Sequence, residues 1–193
     1  MFVDALRTPN GVSEILAKVY DVPPTADPDA IVIRPAVPDD YDAVAELTVD
    51  AYVDGGHLSA GEDYAETLAD VAGRASAGEI LVAVDGQDVL GAVFLVRPGT
   101  EYAEIGRPGE VEFRMLAVSP KAQRRGIGER LVNACLERAR EWGAERVVIC
   151  ARDFIEAPLR LYARMGFVRM PERDWAPAPG INLVALRYDL TGS

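Results

Sequence analysis

The chain has few of the residues from which metal centres, disulfide frameworks and nucleic-acid surfaces are built. Its 193 residues include two cysteines, Cys135 and Cys150, and a single histidine, His57. Neither cysteine belongs to a CxxC pair or has a histidine near it, so no zinc site and no disulfide framework is indicated, and no metal is expected. Both stand in apolar patterns and read as small core residues. Positive charge is scarce as well: the formal net charge is -11 and the isoelectric point is about 4.6. That balance argues against general nucleic-acid binding, which depends on neutralising phosphates with Lys and Arg, and is compatible with a cationic substrate. Long apolar runs are missing too. The longest lies around Val89 to Val96, far short of the roughly 18 residues of a membrane span, and reads as a buried strand. The segment Met1 to Arg7 lacks the basic stretch and apolar run of a secretory signal, so a cytoplasmic location without membrane association is the expectation.

What is present suits one globular domain, since 49% of the residues are hydrophobic. No internal repeat or low-complexity tract interrupts it. Residues 1–30 read as an arm, with a short helical pattern from about Asp4 to Tyr20 and a Pro-rich linker from Val22 to Pro28. The main domain, 31–193, opens with a strand at Ile31 to Pro35, followed by a helix that starts at Pro38-Asp39-Asp40 and runs to Ala51. One further helix is expected from Glu62 to Ala75. A hairpin follows, pairing Glu79 to Val84 with Val89 to Val96 across Asp85-Gly86-Gln87-Asp88. Glu110 to Val118 is a central strand, Glu145 to Cys150 another buried one, and Phe167-Val168 and Leu183 to Leu190 complete the set. Between the central strands, Ile127, Leu131, Cys135, Ala139 and Trp142 form one apolar helical stripe that Gly143 is placed to end. Ala157 to Met165 reads as a short helix stopped by Gly166. The pattern is an α/β domain with a mixed sheet, and the unit around residues 110 to 150 should be parallel and right-handed.

The loop Gln123-Arg124-Arg125-Gly126-Ile127-Gly128 opens the long helix. A helix start carries unpaired N–H groups and partial positive charge, and Gly126 and Gly128 present no side chain to obstruct an anion. Lys121, Arg124, Arg125 and Arg130 make a basic island on an acidic chain. The plain alternative is a solvated helix start with glycines needed for packing. Two common phosphate motifs are excluded: Gly126-Ile127-Gly128 lacks the third glycine of a dinucleotide fingerprint, and no Gly-Lys-Ser/Thr closes a P-loop.

The hexapeptide resembles the acetyl-CoA signature of the GCN5-related N-acetyltransferase (GNAT) superfamily, Gln/Arg-x-x-Gly-x-Gly/Ala after a strand. Leu161-Tyr162-Ala163-Arg164-Met165-Gly166-Phe167 is similar to that family's Leu-Tyr-x-x-x-Gly-Phe segment. The resemblance covers roughly residues 31 to 190. It implies a mostly antiparallel mixed sheet of six to seven strands flanked by helices, with strands 110–118 and 145–150 splayed apart to admit the pantetheine arm of acetyl-CoA. By that likeness the backbone of Leu116, Ala117 and Val118 would meet pantetheine and the acetyl carbonyl. Gln123, Arg124, Arg125, Gly126, Ile127, Gly128 and Glu129 would hold the pyrophosphate, chiefly through their amides. Tyr162 would protonate the departing sulfur; its bland alternative is a buried aromatic anchoring the short helix. The family's asparagine seven residues before the tyrosine is Ile155 here, and Pro158 replaces its usual alanine. Both put local cofactor contacts in doubt, and Asp153 is a weak substitute.

A primary amine, of a small molecule or a protein, is the acceptor that the resemblance implies, and it must lose a proton before attack. Glu112 on the central strand is the candidate base, with Arg114 and Leu116 sharing its face; Glu110, His57 and a salt-bridged, non-catalytic Glu112 remain alternatives. Asp50, Asp54, Glu62 and Asp63 could attract an ammonium, and Tyr52, Tyr64, Phe94 and Trp175 could pack on its apolar part. The rival reading is a non-catalytic acyl-CoA-binding module. A homodimer is compatible with either.

Overall fold

The computed structural model describes residues 31–54 and 62–190; the expected arm and linker, and His57, lie outside them. Eight strands form one sheet in the order β1-β2-β3-β4-β5-β8-β6, with β7 pairing on β8. They are β1 (Val32–Pro35), β2 (Gly78–Asp85), β3 (Asp88–Val96), β4 (Glu110–Val118), β5 (Arg146–Arg152), β6 (Val168–Arg169), β7 (Trp175–Ala178) and β8 (Ile181–Asp189). Every pairing is antiparallel except β4 with β5. The sheet exceeds the expected strand number because β7, in what reads as a Pro-rich loop, folds back onto β8.

The helices are α1 (Tyr41–Asp54), α2 (Glu62–Ala69), α3 (Val71–Ala77), α4 (Ile127–Glu141) and α5 (Glu156–Arg164). The single helix expected over residues 62 to 75 is two, broken at Asp70. Its carboxylate accepts the Gly73 amide at 2.8 Å and so caps a new start, a role for which Asp is better suited than for a helix interior. Ahead of α1, the Arg34 guanidinium grips Asp40 through two hydrogen bonds of 2.6 and 2.9 Å, and Asp40 also accepts the Val37 amide. Strand β1 and the α1 entry are thereby held together.

Two apolar layers sandwich the sheet. On one face, Leu81, Val93, Leu95, Val111, Phe113, Val147 and Ile149 pack against the α4 stripe of Ile127, Leu131, Cys135 and Ala139. On the other, Ile80, Val82, Val84, Phe94 and Val96 meet Val44, Leu68 and Val71 from α1–α3. The alternation along β2 and from Ala92 to Val96 of β3 follows from the period-two pleat, interrupted by a bulge at Leu90. Among the described residues no helix is long and apolar enough to cross a membrane.

Candidate active site

The site begins with a defect in the central strand. β4 pairs with β3 at Ala92↔Ala117 and Phe94↔Arg114, so Met115 and Leu116 together oppose Val93. Met115 absorbs the extra residue with φ 55°, in the left-handed region. Such a bulge bends and over-twists its strand, and a non-glycine residue there marks backbone held by its surroundings. On the opposite edge the parallel pairing of β4 with β5 stops at Glu112↔Val148. Beyond that point the strands diverge, and the β5-facing backbone groups of Leu116, Ala117 and Val118 have no strand partner. A cavity of about 340 Å³ fills the divergence, lined by Met115 and Leu116 from β4, Ile149 to Arg152 from β5, and Tyr162 from α5.

The glycine loop lies at the α4 start beside the β4 terminus. Arg124 has φ 63° and Gly126 φ 74°, two left-handed residues that turn the chain sharply. After Gln123, whose amide bonds the Pro120 carbonyl at 3.4 Å, the next amide with a backbone acceptor is that of Arg130, bonded to the Gly126 carbonyl at 3.0 Å. Among the described residues nothing accepts from the amides of 124–129, which makes the turn a concave set of donors at a helix N-terminus. A Cβ on Gly128 would meet only Leu161 at 3.5 Å and Val118 at 3.8 Å, ordinary contact distances. The fold's own packing therefore does not require a glycine there, whereas a ligand seated on the amides would. The basic island divides: Arg125 pairs with Asp85 at 3.0 Å and Arg130 donates to the Ile31 carbonyl, while Lys121 and Arg124 form no ion pair with a described residue. These residues fit a pyrophosphate.

Helix α5 explains the second motif physically. Gly166 follows the last turn with φ 93°, the Phe167 amide bonds back to the Tyr162 carbonyl at 2.9 Å, and the Gly166 amide to that of Ala163 at 3.1 Å. This is a Schellman cap, which calls for glycine at its left-handed position and for an apolar contact across the turn. The rings of Tyr162 and Phe167, 5.6 Å apart, make that contact, with Phe113 5.8 Å from Tyr162. Tyr162 is thus fixed by the cap while its side chain borders the cavity. Burial, with Cys135 nearby, pushes its phenol above the ordinary tyrosine value, so it stays protonated across the neutral range. The helix starts at Glu156, one residue earlier than the pattern suggests. Pro158 falls in the first turn, where its missing N–H costs nothing, and Ile155 is the N-cap residue and borders the cavity. Asp153 is exposed and accepts from Asn182 at 3.4 Å.

Tyr52, Tyr64, Glu104, Glu112 and Arg114 also line the cavity. Glu112 shares its face with Arg114, whereas the bulge turns Leu116 to the α4 side, with Val111 and Phe113, so the expected grouping of all three holds only for the first two. Glu112 is wholly buried, and its Oε2 accepts three backbone amides, from Glu104, Ile105 and Gly106 at 2.9, 3.0 and 3.0 Å. Its Oε1 has no hydrogen bond and lies 3.8 Å from Arg114 Nε. Glu112 therefore ties down the loop that carries Glu104. The Glu104 carboxylate bonds the Arg114 guanidinium, which also donates to the Tyr102 carbonyl. Burial raises the Glu104 carboxyl to about 6, against the pull of Arg114 and with a push from Glu112. Nothing in the sequence of the 97–110 loop singles out Glu104; only Glu112 on β4, which accepts the amides of Glu104, Ile105 and Gly106, brings it to the cavity.

Other candidates fall elsewhere. Glu110 is held by Arg173, at 2.5 and 3.0 Å, away from the cavity, and that guanidinium, with the Arg107 amide, outweighs burial to lower its carboxyl pKa. Phe94 is completely buried in the core beneath α1–α3 and Asp50 is exposed on α1, so neither borders the cavity, and Trp175 does not line it either. The side chains of Asp54, Glu62 and Asp63 lie outside the described residues. Cys135 is a core residue as expected, whereas Cys150 is half-buried on the cavity wall, and burial raises its thiol to about 12.

A mixed sheet split at a bulged central strand, with free amides at the following helix start, sets a strand gap beside a turn able to accept an anion. The model of the Acetyltransferase (GNAT) family matches residues 41–167, and the chain belongs to that family. Solved structures share its fold. An acetyltransferase from Staphylococcus aureus Mu50 superposes with a TM-score of 0.67 at 15% identity, covering 83% of this chain and 99% of that one. The yncA protein of Salmonella typhimurium, solved with its cofactor acetyl-CoA, gives 0.63 at 24% identity over 85% and 96% of the two chains. The ribosomal-protein-S18-alanine N-acetyltransferase of Escherichia coli gives 0.64 at 15% identity over 85% and 96%. No curated protein is matched by the sequence.

Proposed function

We propose that the protein transfers the acetyl group of acetyl-CoA to a primary amine by direct attack, with Tyr162 as general acid and Glu104 as the proton acceptor. The observation that carries this reading is the convergence on one cavity of a protonated phenol, a carboxyl raised to about 6 and the unpaired backbone of the split strands. Acetyl-CoA brings an activated thioester; the chain supplies placement and proton movement. The amides of 124–129 would bind the pyrophosphate, and the free groups of Leu116, Ala117 and Val118 would align the pantetheine arm and donate to the thioester carbonyl. Glu104, ionised at neutral pH, would take the proton of the incoming ammonium at its free oxygen edge. Glu112 would hold Glu104 in place and complete the charge balance around Arg114. The Tyr162 hydroxyl would deliver its proton to the sulfur as the C–S bond breaks, and the excess proton on the newly bonded nitrogen would return to the phenolate, leaving amide, CoA thiol and a protonated Glu104.

That yncA of Salmonella typhimurium is crystallised with acetyl-CoA supports the choice of co-substrate, and the amine substrate of the Escherichia coli enzyme supports nitrogen as the acceptor atom. The test is CoA release from acetyl-CoA across a broad amine panel, with mass detection of the product. Acetylated amine is expected; thermal stabilisation by acetyl-CoA without CoA release from any amine would favour the non-catalytic binding module instead.

A further inference from the structure

Two guanidinium groups border the cavity, and they differ sharply in how they are satisfied. Arg114 is engaged by Glu104, the Tyr102 carbonyl and Glu112. Arg152, at the end of β5, is 8% exposed and its Nε is buried without a hydrogen-bond partner. Its guanidinium forms no ion pair with a described residue; its one contact of note is the ring of Phe154, 5.0 Å away, which can orient a planar cation but cannot neutralise it. Strand parity fixes the side on which it stands. Val147, Ile149 and Ala151 pack into the α4 layer, whereas Val148 and Cys150 face away from it, with Met170 and Ala185. Arg152 shares the parity of Val148 and Cys150, and so stands on the side opposite α4, the face that also carries Glu112 and Arg114, and it lines the same cavity as Glu104. Ile155, Pro177, Ile181 and Leu183 give its surroundings an apolar wall.

A charge taken out of water without a partner is costly, and a buried guanidinium is normally matched by a carboxylate or phosphate. Here no such match is present among the described residues, and the cavity that Arg152 borders also holds the paired Glu104 and Arg114. We propose that Arg152 is the receptor for a carboxylate on the acceptor. The acceptor is then a small amine that bears a carboxyl group, an amino acid or a close analogue, with its amine toward Glu104 and its carboxylate in the fork of Arg152. The planar, bidentate geometry of guanidinium suits that group. This proposal rests on the acetylation reading above and narrows its substrate class.

The test uses the twenty common amino acids, each paired with its own carboxamide, against the wild-type chain, Arg152→Gln and Arg152→Lys. The wild type should prefer the acid over the amide by about 10- to 100-fold in kcat/KM for the accepted side chains, the range of a charge-assisted contact. The amide's amine is less basic and more often neutral at pH 7, so such a preference cannot arise from nucleophile availability. Arg152→Gln should remove the preference by lowering turnover of the acid alone, with the acetyl-CoA KM unchanged, and Arg152→Lys should retain part of it. No acid preference in the wild type, an equal loss for acid and amide, or a loss confined to the acetyl-CoA KM would overturn the proposal. If no compound of either set releases CoA while other amines do, the proposal fails and the acetylation reading stands. If no amine at all releases CoA, the acetylation reading fails, and thermal shifts of the CoA-saturated protein decide for Arg152. Stabilisation by millimolar free acids in the wild type but not in Arg152→Gln would support the site, and no stabilisation would overturn it. Should Arg152→Gln not fold, Arg152→Lys carries the same comparisons.

Discussion

Glu112→Gln separates a structural carboxylate from a catalytic one. The Glu112 side chain is fully buried, and its Oε2 accepts the amides of Glu104, Ile105 and Gly106 at 2.9, 3.0 and 3.0 Å. A hydrogen bond to a charged acceptor contributes about 1.5–3 kcal/mol and a neutral one about 0.5–1.5. Replacing the carboxylate with an amide that keeps an oxygen at the same place should therefore weaken the three bonds by about 1 kcal/mol each, or about 3 kcal/mol in all. In a domain of this size that corresponds to a fall in Tm of about 6–12 °C. Gln is the informative choice because Ala would leave three buried N–H groups without an acceptor and threaten folding outright. Thermal unfolding followed by circular dichroism, with kcat measured at 25 °C where the variant is folded, makes the comparison. The expected result is a large loss of stability with kcat reduced less than about 10-fold, the range left after excluding a general base worth about 10²–10⁴. A Tm within about 2 °C of wild type together with a rate loss of 100-fold or more would refute the reasoning and return Glu112 to the role of base.

The Glu104 carboxyl, raised to about 6, should give an acidic limb in kcat/KM: its ionised form is the base, so activity falls as pH drops through about 6. Glu104→Gln should abolish that limb in a pH–rate profile, and an unchanged limb would remove Glu104 from the chemistry. Tyr162→Phe should lower kcat by about 10²–10⁴ while leaving acetyl-CoA binding intact by calorimetry. A rate within about threefold would reduce the residue to its part in the cap and the ring cluster. Gly128→Ala should leave stability within about 0.5 kcal/mol, since its Cβ meets neighbours only at 3.5 and 3.8 Å. Acetyl-CoA affinity, in contrast, should fall about tenfold or more, because the methyl group occupies the approach of the pyrophosphate to the amides. Equal affinity in a fluorescence titration would assign that glycine to chance.

Much of this protein is written locally. The Gly126 turn, the α4 stripe and the Tyr162-to-Phe167 segment each follow from short-range rules: an unpaired helix start, a 3.6-residue period, and a Schellman cap whose glycine and aromatic partner lie within six positions of one another. For the same reason the two motifs, the hairpin and the order of most elements are legible in the linear chain. The break at Asp70 was decided by one capping carboxylate that competes with a continuous helical pattern, and β7 by pairing with β8, a partner that a Pro-rich stretch does not advertise. The roles of the acidic residues were decided only by tertiary packing. Glu110, Glu112 and Glu104 are alike in composition, yet one is held by Arg173, one is sealed under three amides, and one is left at the cavity with a raised carboxyl. Arg152 is alike in this respect: a strand-end arginine in sequence, and a buried side chain without an acid partner among the described residues once β5 and β8 are paired. Desolvation and charge pairing depend on which distant segments close over a group, so the amino-acid sequence determined the frame and the glycine turn at the α4 start, while the electrostatics of the cavity around Glu104 and Arg152 came from the fold alone.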